Sequence, residues 1–166
     1  MSIAIYPGSF DPITNGHVDI IRSGLVAFDK IIVGVLSNPR KIQPLFTEEE
    51  RMTMIRDLFK DDADRIEVDS FEGLLVDYCK RKNVHVILRG LRAVADFEYE
   101  LQMANMNRHL NKKIETVFIM ANDAFFYVSS SIVKEVATLG GSVEGLVPPA
   151  VATRLYDKLG RKAAGR

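Results

Sequence analysis

The sequence predicts an α/β fold, a doubly wound parallel sheet of five strands with helices on both faces. Three observations predict it. Short β-branched runs alternate with longer helical patterns along the chain. The runs are nearly continuous in apolar character, as strands buried on both faces are. Polar, basic or glycine-bearing segments follow four of the five runs, so four loops converge on one edge of the sheet.

Each element has its own warrant. Ser2–Tyr6 reads as the first strand, with Pro7 and Gly8 expected to stop it. Asp11-Pro12 is a turn signal, and a helical pattern starts near Thr14, with Val18, Ile21, Leu25 and Phe28 at helical spacing. Ile31–Leu36 is the second strand, and Thr47-Glu48-Glu49-Glu50 is a capping box that opens the second helix. Arg65–Asp69 and Val84–Leu88 are the third and fourth strands, separated by a helix over Leu74 to Lys82. A long helix over Val94 to Leu110 leads to the fifth strand, Glu115–Met120. Two C-terminal helices follow, near Ser131–Thr138 and Pro149–Leu159. Right-handed crossovers between such strands give a Rossmann-like sheet of order 3-2-1-4-5. Ligands in such sheets sit beyond the carboxyl ends of the strands, at the switch point between the first and fourth.

Composition sets further bounds. The chain has 166 residues, the size of one domain. We assign 1–160 to that domain and 161–166 to a frayed basic tail. Lys plus Arg equals Asp plus Glu at 22 each, which argues against nucleic acid as the main partner. Cys79 is the only cysteine, so no intrachain disulfide can form. It shares a helical pattern with Leu75 and Val76 and reads as a buried structural thiol in a reducing compartment. No apolar run approaches the ~20 residues of a membrane span, and the first residues lack the basic start of a signal peptide. A cytoplasmic protein without membrane contact is the expectation.

The fourth helix carries two apolar stripes. Phe97, Leu101 and Ala104 form one; Tyr99, Met103, Met106 and Leu110 form another on roughly the opposite side. One stripe is expected to cover the sheet and the other a neighbouring subunit, hence a homo-oligomer.

Several chemistries find no support. There is no G-x-x-x-x-G-K-[ST], no G-x-G-x-x-G and no G-x-S-x-G. His17, His85 and His109 lack metal-ligand spacing, so no metal-ligating residue is assigned. What is present is a strand running into Tyr6-Pro7-Gly8-Ser9-Phe10-Asp11-Pro12-Ile13-Thr14-Asn15-Gly16-His17. Gly8 and Gly16 admit close backbone approach, and the following helix aims unpaired N–H groups at the strand end. Thr14 and His17 share one helical face. A hydroxyl and an imidazole beside a helix N-terminus suit polyphosphate.

This segment resembles the T/HxGH motif of the nucleotidyltransferase superfamily, and in length and wording the bacterial phosphopantetheine adenylyltransferases. Two more blocks carry the resemblance: Leu88-Arg89-Gly90-Leu91-Arg92-Ala93-Val94-Ala95-Asp96-Phe97-Glu98-Tyr99-Glu100, and Val128-Ser129-Ser130-Ser131-Ile132-Val133-Lys134-Glu135. The resemblance implies reversible adenylyl transfer from ATP to phosphopantetheine, giving dephospho-CoA and pyrophosphate without a covalent intermediate. It implies Mg2+ with the ATP, a hexamer, and CoA as a possible feedback inhibitor.

The resemblance also implies roles. His17 contacts the α-phosphate and, with Lys41 and Arg92, forms the catalytic set; Arg40 competes with Lys41 for its part. Ser9 and the backbone at Phe10 bind both substrates. Arg89 holds the acceptor phosphate, and Leu75 and Asn107 lie along the pantetheine arm. Gly90, Leu91, Arg92 and Glu100 contact ATP, as do Phe125, Phe126, Tyr127, Val128, Ser129, Ser130 and Ser131; which of the aromatics meets adenine stays open. One rival is another nucleotidyltransferase of the fold, such as a nicotinate-nucleotide adenylyltransferase or a glycerol-phosphate cytidylyltransferase. A catalytically idle nucleotide-binding module is the rival of a different class.

Overall fold

The structure is a computed structural model that describes residues 1–37, 44–92 and 94–161, with only the backbone of 94–96. Lys41, Arg40 and the tail beyond Arg161 therefore lie outside the described residues. The five strands are β1 (Ile3–Gly8), β2 (Lys30–Leu36), β3 (Ile66–Phe71), β4 (Val86–Leu91) and β5 (Glu115–Met120). All pair in parallel, in the order β3-β2-β1-β4-β5, as the alternation of elements predicts. The helices are α1 (Asn15–Ala27), α2 (Glu48–Leu58), α3 (Leu75–Lys82), α4 (Val94–Leu110), α5 (Ser130–Thr138) and α6 (Pro149–Lys158). None of the described helices is long and apolar enough to cross a membrane.

The apolar runs are continuous because alternate residues enter different cores. Ala4, Tyr6, Ile31, Val33, Val35 and Leu88 join one cluster with α1, α2, α5 and α6. Ile5, Ile32 and Ile87 point to the other face, against Val76, Tyr78 and Cys79 of α3. Cys79 is fully buried, and burial pushes its thiol up to about 11, so it is the inert core residue expected.

Three strand ends run past the sequence reading: β3 continues to Phe71, and the extensions of β1 and β4 shape the site. β1 does not stop at Tyr6; Pro7 and Gly8 continue to pair with Gly34 and Val35 of β2. On its other side β1 pairs with β4 only at Ala4 and Ile5. Pro7, which lacks an N–H, thus sits where the β1–β4 ladder has already opened. β4 likewise runs on through Arg89, Gly90 and Leu91, expected as a loop, because β5 pairs with all three. The sheet splits between β1 and β4 toward its carboxyl edge.

α4 is oriented differently from the expectation. Its domain-facing residues are polar Glu100 and Asn107, each 9% exposed, with half-buried Ala104 between them. Of the two apolar stripes only Ala104 enters this seam, and the rest flank it. Phe97 and Leu101 are exposed on one side; Tyr99, Met103, Met106 and Leu110 are exposed on the other. Neither stripe covers the sheet, because the seam facing it is taken by the lining of a cleft.

Candidate active site

Two clefts open at the carboxyl ends of the strands, one on each side of the β1–β4 split. The first, of about 280 Å3, is lined by Ser9, Thr14, His17, Gly90, Arg92, Val128 and Ser129 to Ser131, among others. The second, of about 350 Å3, is largely apolar, with Phe71, Leu75, Met103, Met106, Leu110 and Asn107 in its walls. Pro7, Gly8, Arg89 and Glu100 line both, so they form the junction.

The first cleft is built on two helix N-termini. Thr14 caps α1, and the Thr-x-Gly-His motif is a capping box in which His17 takes the place usually held by Glu. The Thr14 N–H donates to His17 Nδ1 at 3.0 Å, while Thr14 Oγ1 accepts from the His17 N–H at 3.4 Å. Nδ1 is therefore an acceptor, and a neutral ring carries its proton on Nε2. Burial, reinforced by the charges of Arg92 and Arg89, presses the His17 pKa down to about 3. Phe10 packs edge-on against the ring, with centroids 5.0 Å apart. The histidine is thus held as a neutral Nε2–H donor.

The second N-terminus is that of α5. Ser129 is its N-cap, accepting from the Ile132 N–H at 3.2 Å, and Ser130 Oγ donates to the Pro12 carbonyl at 2.8 Å. Two of the three serine hydroxyls thus hold the loop in shape, and the N–H groups of Ser130 and Ser131 remain for an anion. Arg92 Nη1 donates to the Val128 carbonyl at 2.9 Å, tying the exit of β4 to this loop.

Arg89 sits in the split itself. Its Nη1 donates to the Pro7 carbonyl at 2.9 Å, its Nε to Glu100 Oε2 at 2.7 Å, and its Nη2 to Glu100 Oε1. This fork fixes a planar cation between the clefts, a geometry suited to phosphate. Glu100 anchors Arg89 here in addition to lining the first cleft. In the second cleft the Asn107 side chain has no protein partner among the described residues, so its amide is free to pair with a ligand.

Other expected residues sit differently. Phe10 is 1% exposed, its ring packed over Gly8, where an added Cβ would come within 2.8 Å of Phe10 Cζ; contact with a ligand falls to its backbone. Gly8 thus makes room for Phe10 while its backbone lines both clefts. At Gly16 an added Cβ would meet Phe125 Cβ at 3.5 Å and Thr14 Oγ1 at 3.6 Å, both ordinary contacts. Leu91 is buried away from the first cleft. Phe125 packs beside Gly16 on the core, and Phe126 and Tyr127 stand exposed; none of the three lines the first cleft.

Sequence reasoning missed two buried charges beneath the site. Asp11 accepts from the N–H groups of Leu45 and Phe46 at 3.0 and 2.9 Å and pairs with Lys134 at 2.7 Å. Arg51, 4% exposed, donates from Nη1 to the carbonyls of Ser9 and Leu36 at 2.6 and 3.1 Å. A signal existed for Arg51: it stands four residues before Ile55, on the apolar face of α2.

Comparison with known proteins agrees with this geometry. The cytidylyltransferase-like family model matches residues 5–136. A phosphopantetheine adenylyltransferase of Desulfosudis oleivorans is 58% identical over 160 residues, covering 96% of this chain and 94% of that one. Another, of Geotalea daltonii, is 55% identical over 161 residues, covering 97% and 99%. Among solved structures, a putative nicotinate-nucleotide adenylyltransferase from Vibrio parahaemolyticus superposes with a TM-score of 0.69 at 16% identity, covering 99% of this chain and 98% of that one; it shows the shared fold alone. The apolar second cleft, the phosphate-suited junction and the near full-length relatives lead to one assignment: the chain belongs to the phosphopantetheine adenylyltransferase family, within the cytidylyltransferase-like group.

Proposed function

We propose that the protein transfers the adenylyl group of ATP to phosphopantetheine, forming dephospho-CoA and pyrophosphate. The observation that carries this reading is the pair of clefts meeting at Arg89. An acceptor anionic at one end and a chain of methylenes and amides at the other is matched by a guanidinium at the mouth of an apolar cleft holding one unpaired amide. A mononucleotide acceptor has no use for that apolar cleft, so the nicotinate-nucleotide reading is not favoured.

The chemistry asks for alignment and charge stabilisation. A phosphate monoester is largely ionised at neutral pH, so an oxygen of the acceptor attacks the α-phosphorus without a protein base. As that bond forms, the bond from the α-phosphorus to the bridging oxygen breaks, and pyrophosphate leaves with the electron pair. His17 donates from Nε2 to the α-phosphoryl oxygen, and Arg92 and the α5 N-terminus meet the remaining phosphate charge. Ser9 contributes at the first cleft, Leu75 and Asn107 along the second. Lys41 is proposed to bridge the reacting phosphates on the family's pattern alone. Mg2+ is proposed to enter with ATP and to neutralise phosphate charge; among the described residues no cluster of three His, Cys, Asp or Glu is placed to hold a metal.

We also propose a homohexamer, supported by the exposed Phe97–Leu101 flank of α4, and inhibition by CoA, which contains the product. Sedimentation and a CoA titration test these. The function itself is tested by pyrophosphate release from ATP and Mg2+ with and without phosphopantetheine, with mass detection of dephospho-CoA. Acceptor-dependent release is the expected result, and turnover with a mononucleotide but none with phosphopantetheine would refute it.

A further inference from the structure

Arg51 is a buried guanidinium that the reaction scheme leaves unused. It reaches from the first turn of α2 to the carboxyl edge of the sheet. There Nη1 donates to the carbonyl of Leu36, the last residue of β2, and to that of Ser9, the first after β1. Its Nε has no acceptor, and no carboxylate among the described residues lies within ion-pair distance. A buried cation without a carboxylate is costly unless something nearby is anionic.

The acceptor it grips most tightly, at 2.6 Å, belongs to the Ser9–Phe10 peptide. The N–H of the same planar unit is that of Phe10. Phe10 is 1% exposed and has φ of 47°, in the left-handed region that non-glycine residues enter only when surroundings enforce it. Its N–H has no acceptor among the described residues. A buried N–H of this kind calls for a partner. Ser9, on the other side of the peptide, lines the first cleft.

We propose that Arg51 is a positioning residue for the nucleotide: it pins the Ser9–Phe10 peptide and polarises it, so that the Phe10 N–H becomes a strong donor to a bound phosphate. Hydrogen bonds in series strengthen one another, and a cation at the carbonyl end draws electron density from the N–H end. Glu48, one turn earlier on α2, feels the Arg51 charge but does not pair with it, so the polyphosphate adds negative charge on the side of the Ser9–Phe10 peptide. This inference rests on the reading of the first cleft as the phosphate site.

The test separates ligand phosphate from mere strand clamping. In the full chain, Arg51→Gln is expected to weaken ATP binding about tenfold by calorimetry while adenosine binding is unchanged. Arg51→Lys, which keeps a cation, is expected to lie within about threefold of the unsubstituted protein. Equal losses for ATP and adenosine, or none, would overturn the proposal. If Arg51→Gln does not fold, the amide resonance of Phe10 in the unsubstituted protein decides: it moves downfield with ATP and stays in place with adenosine, and a resonance indifferent to ATP overturns the proposal. An unsubstituted protein that binds no ATP refutes the site reading instead.

Discussion

Lowering the pH from 7 to 5 should destabilise this protein through His17. The folded ring stays neutral down to about pH 3, because burial and then the charges of Arg92 and Arg89 oppose its protonation. In the unfolded chain the same ring takes its proton near the ordinary value of ~6.5. Below that value the unfolded state binds more protons, so the support from His17 is complete above about pH 6.5 and drains away as the pH falls toward 3. At ~1.4 kcal/mol per pH unit, integration gives a loss of about 2 kcal/mol between pH 7 and pH 5. Water reaching the half-buried ring trims this, and 1–2 kcal/mol is the expected range, as an order of magnitude, after about that discount. The assay is urea denaturation at both pH values, at fixed protein concentration, for the unsubstituted protein and His17→Gln. His85 and His109 are common to both, so the difference in slopes isolates His17. The unsubstituted protein should lose more stability than the variant. Parallel losses, or an NMR titration of His17 near 6.5, would refute both the neutral ring and its assignment as an Nε2–H donor.

Two further outcomes follow from packing. Glu100→Gln removes the charge partner of Arg89, whose side chain is 31% exposed; a loss of about 1–2 kcal/mol in urea denaturation is expected, and an unchanged midpoint would show that solvent already screens the fork. Gly90→Ala puts a Cβ 2.7 Å from Ile20 Cγ1 in the second turn of α1, so thermal unfolding should show a cost of about 1–3 kcal/mol, with ATP turnover falling as α1, which carries His17, is displaced.

The stripes on α4 show how a pattern can be real and its meaning misplaced. Periodicity located Phe97–Leu101 and Tyr99–Met106 as separate faces. It could not show that Glu100 and Asn107 would occupy the buried seam between them, since isolated polar residues in a helix read as solvated. Their burial follows from the cleft, which exists only once β1 and β4 have parted.

The sequence by itself determined the order of elements and the parallel sheet, and it pointed to the split where the clefts lie, because alternation, β-branched runs and capping residues act over a few positions. Thr14 with His17 and Thr47 with Glu50 close capping boxes three residues apart, within reach of local spacing. The length of β1 and β4 was decided by tertiary pairing: a neighbouring strand satisfies the backbone of Gly8 and Gly90 where local signals call for a stop. So were the charges beneath the site. Arg51 meets Ser9 across 42 positions and Lys134 meets Asp11 across 123, and no local pattern constrains a partner at such separations. The fork of Arg89 on Glu100, though only 11 positions apart, needed both the open ladder at Pro7 and the inward turn of α4. Short-range chemistry wrote the elements and the motif; the low dielectric and close packing of the folded interior selected which charges would face each other.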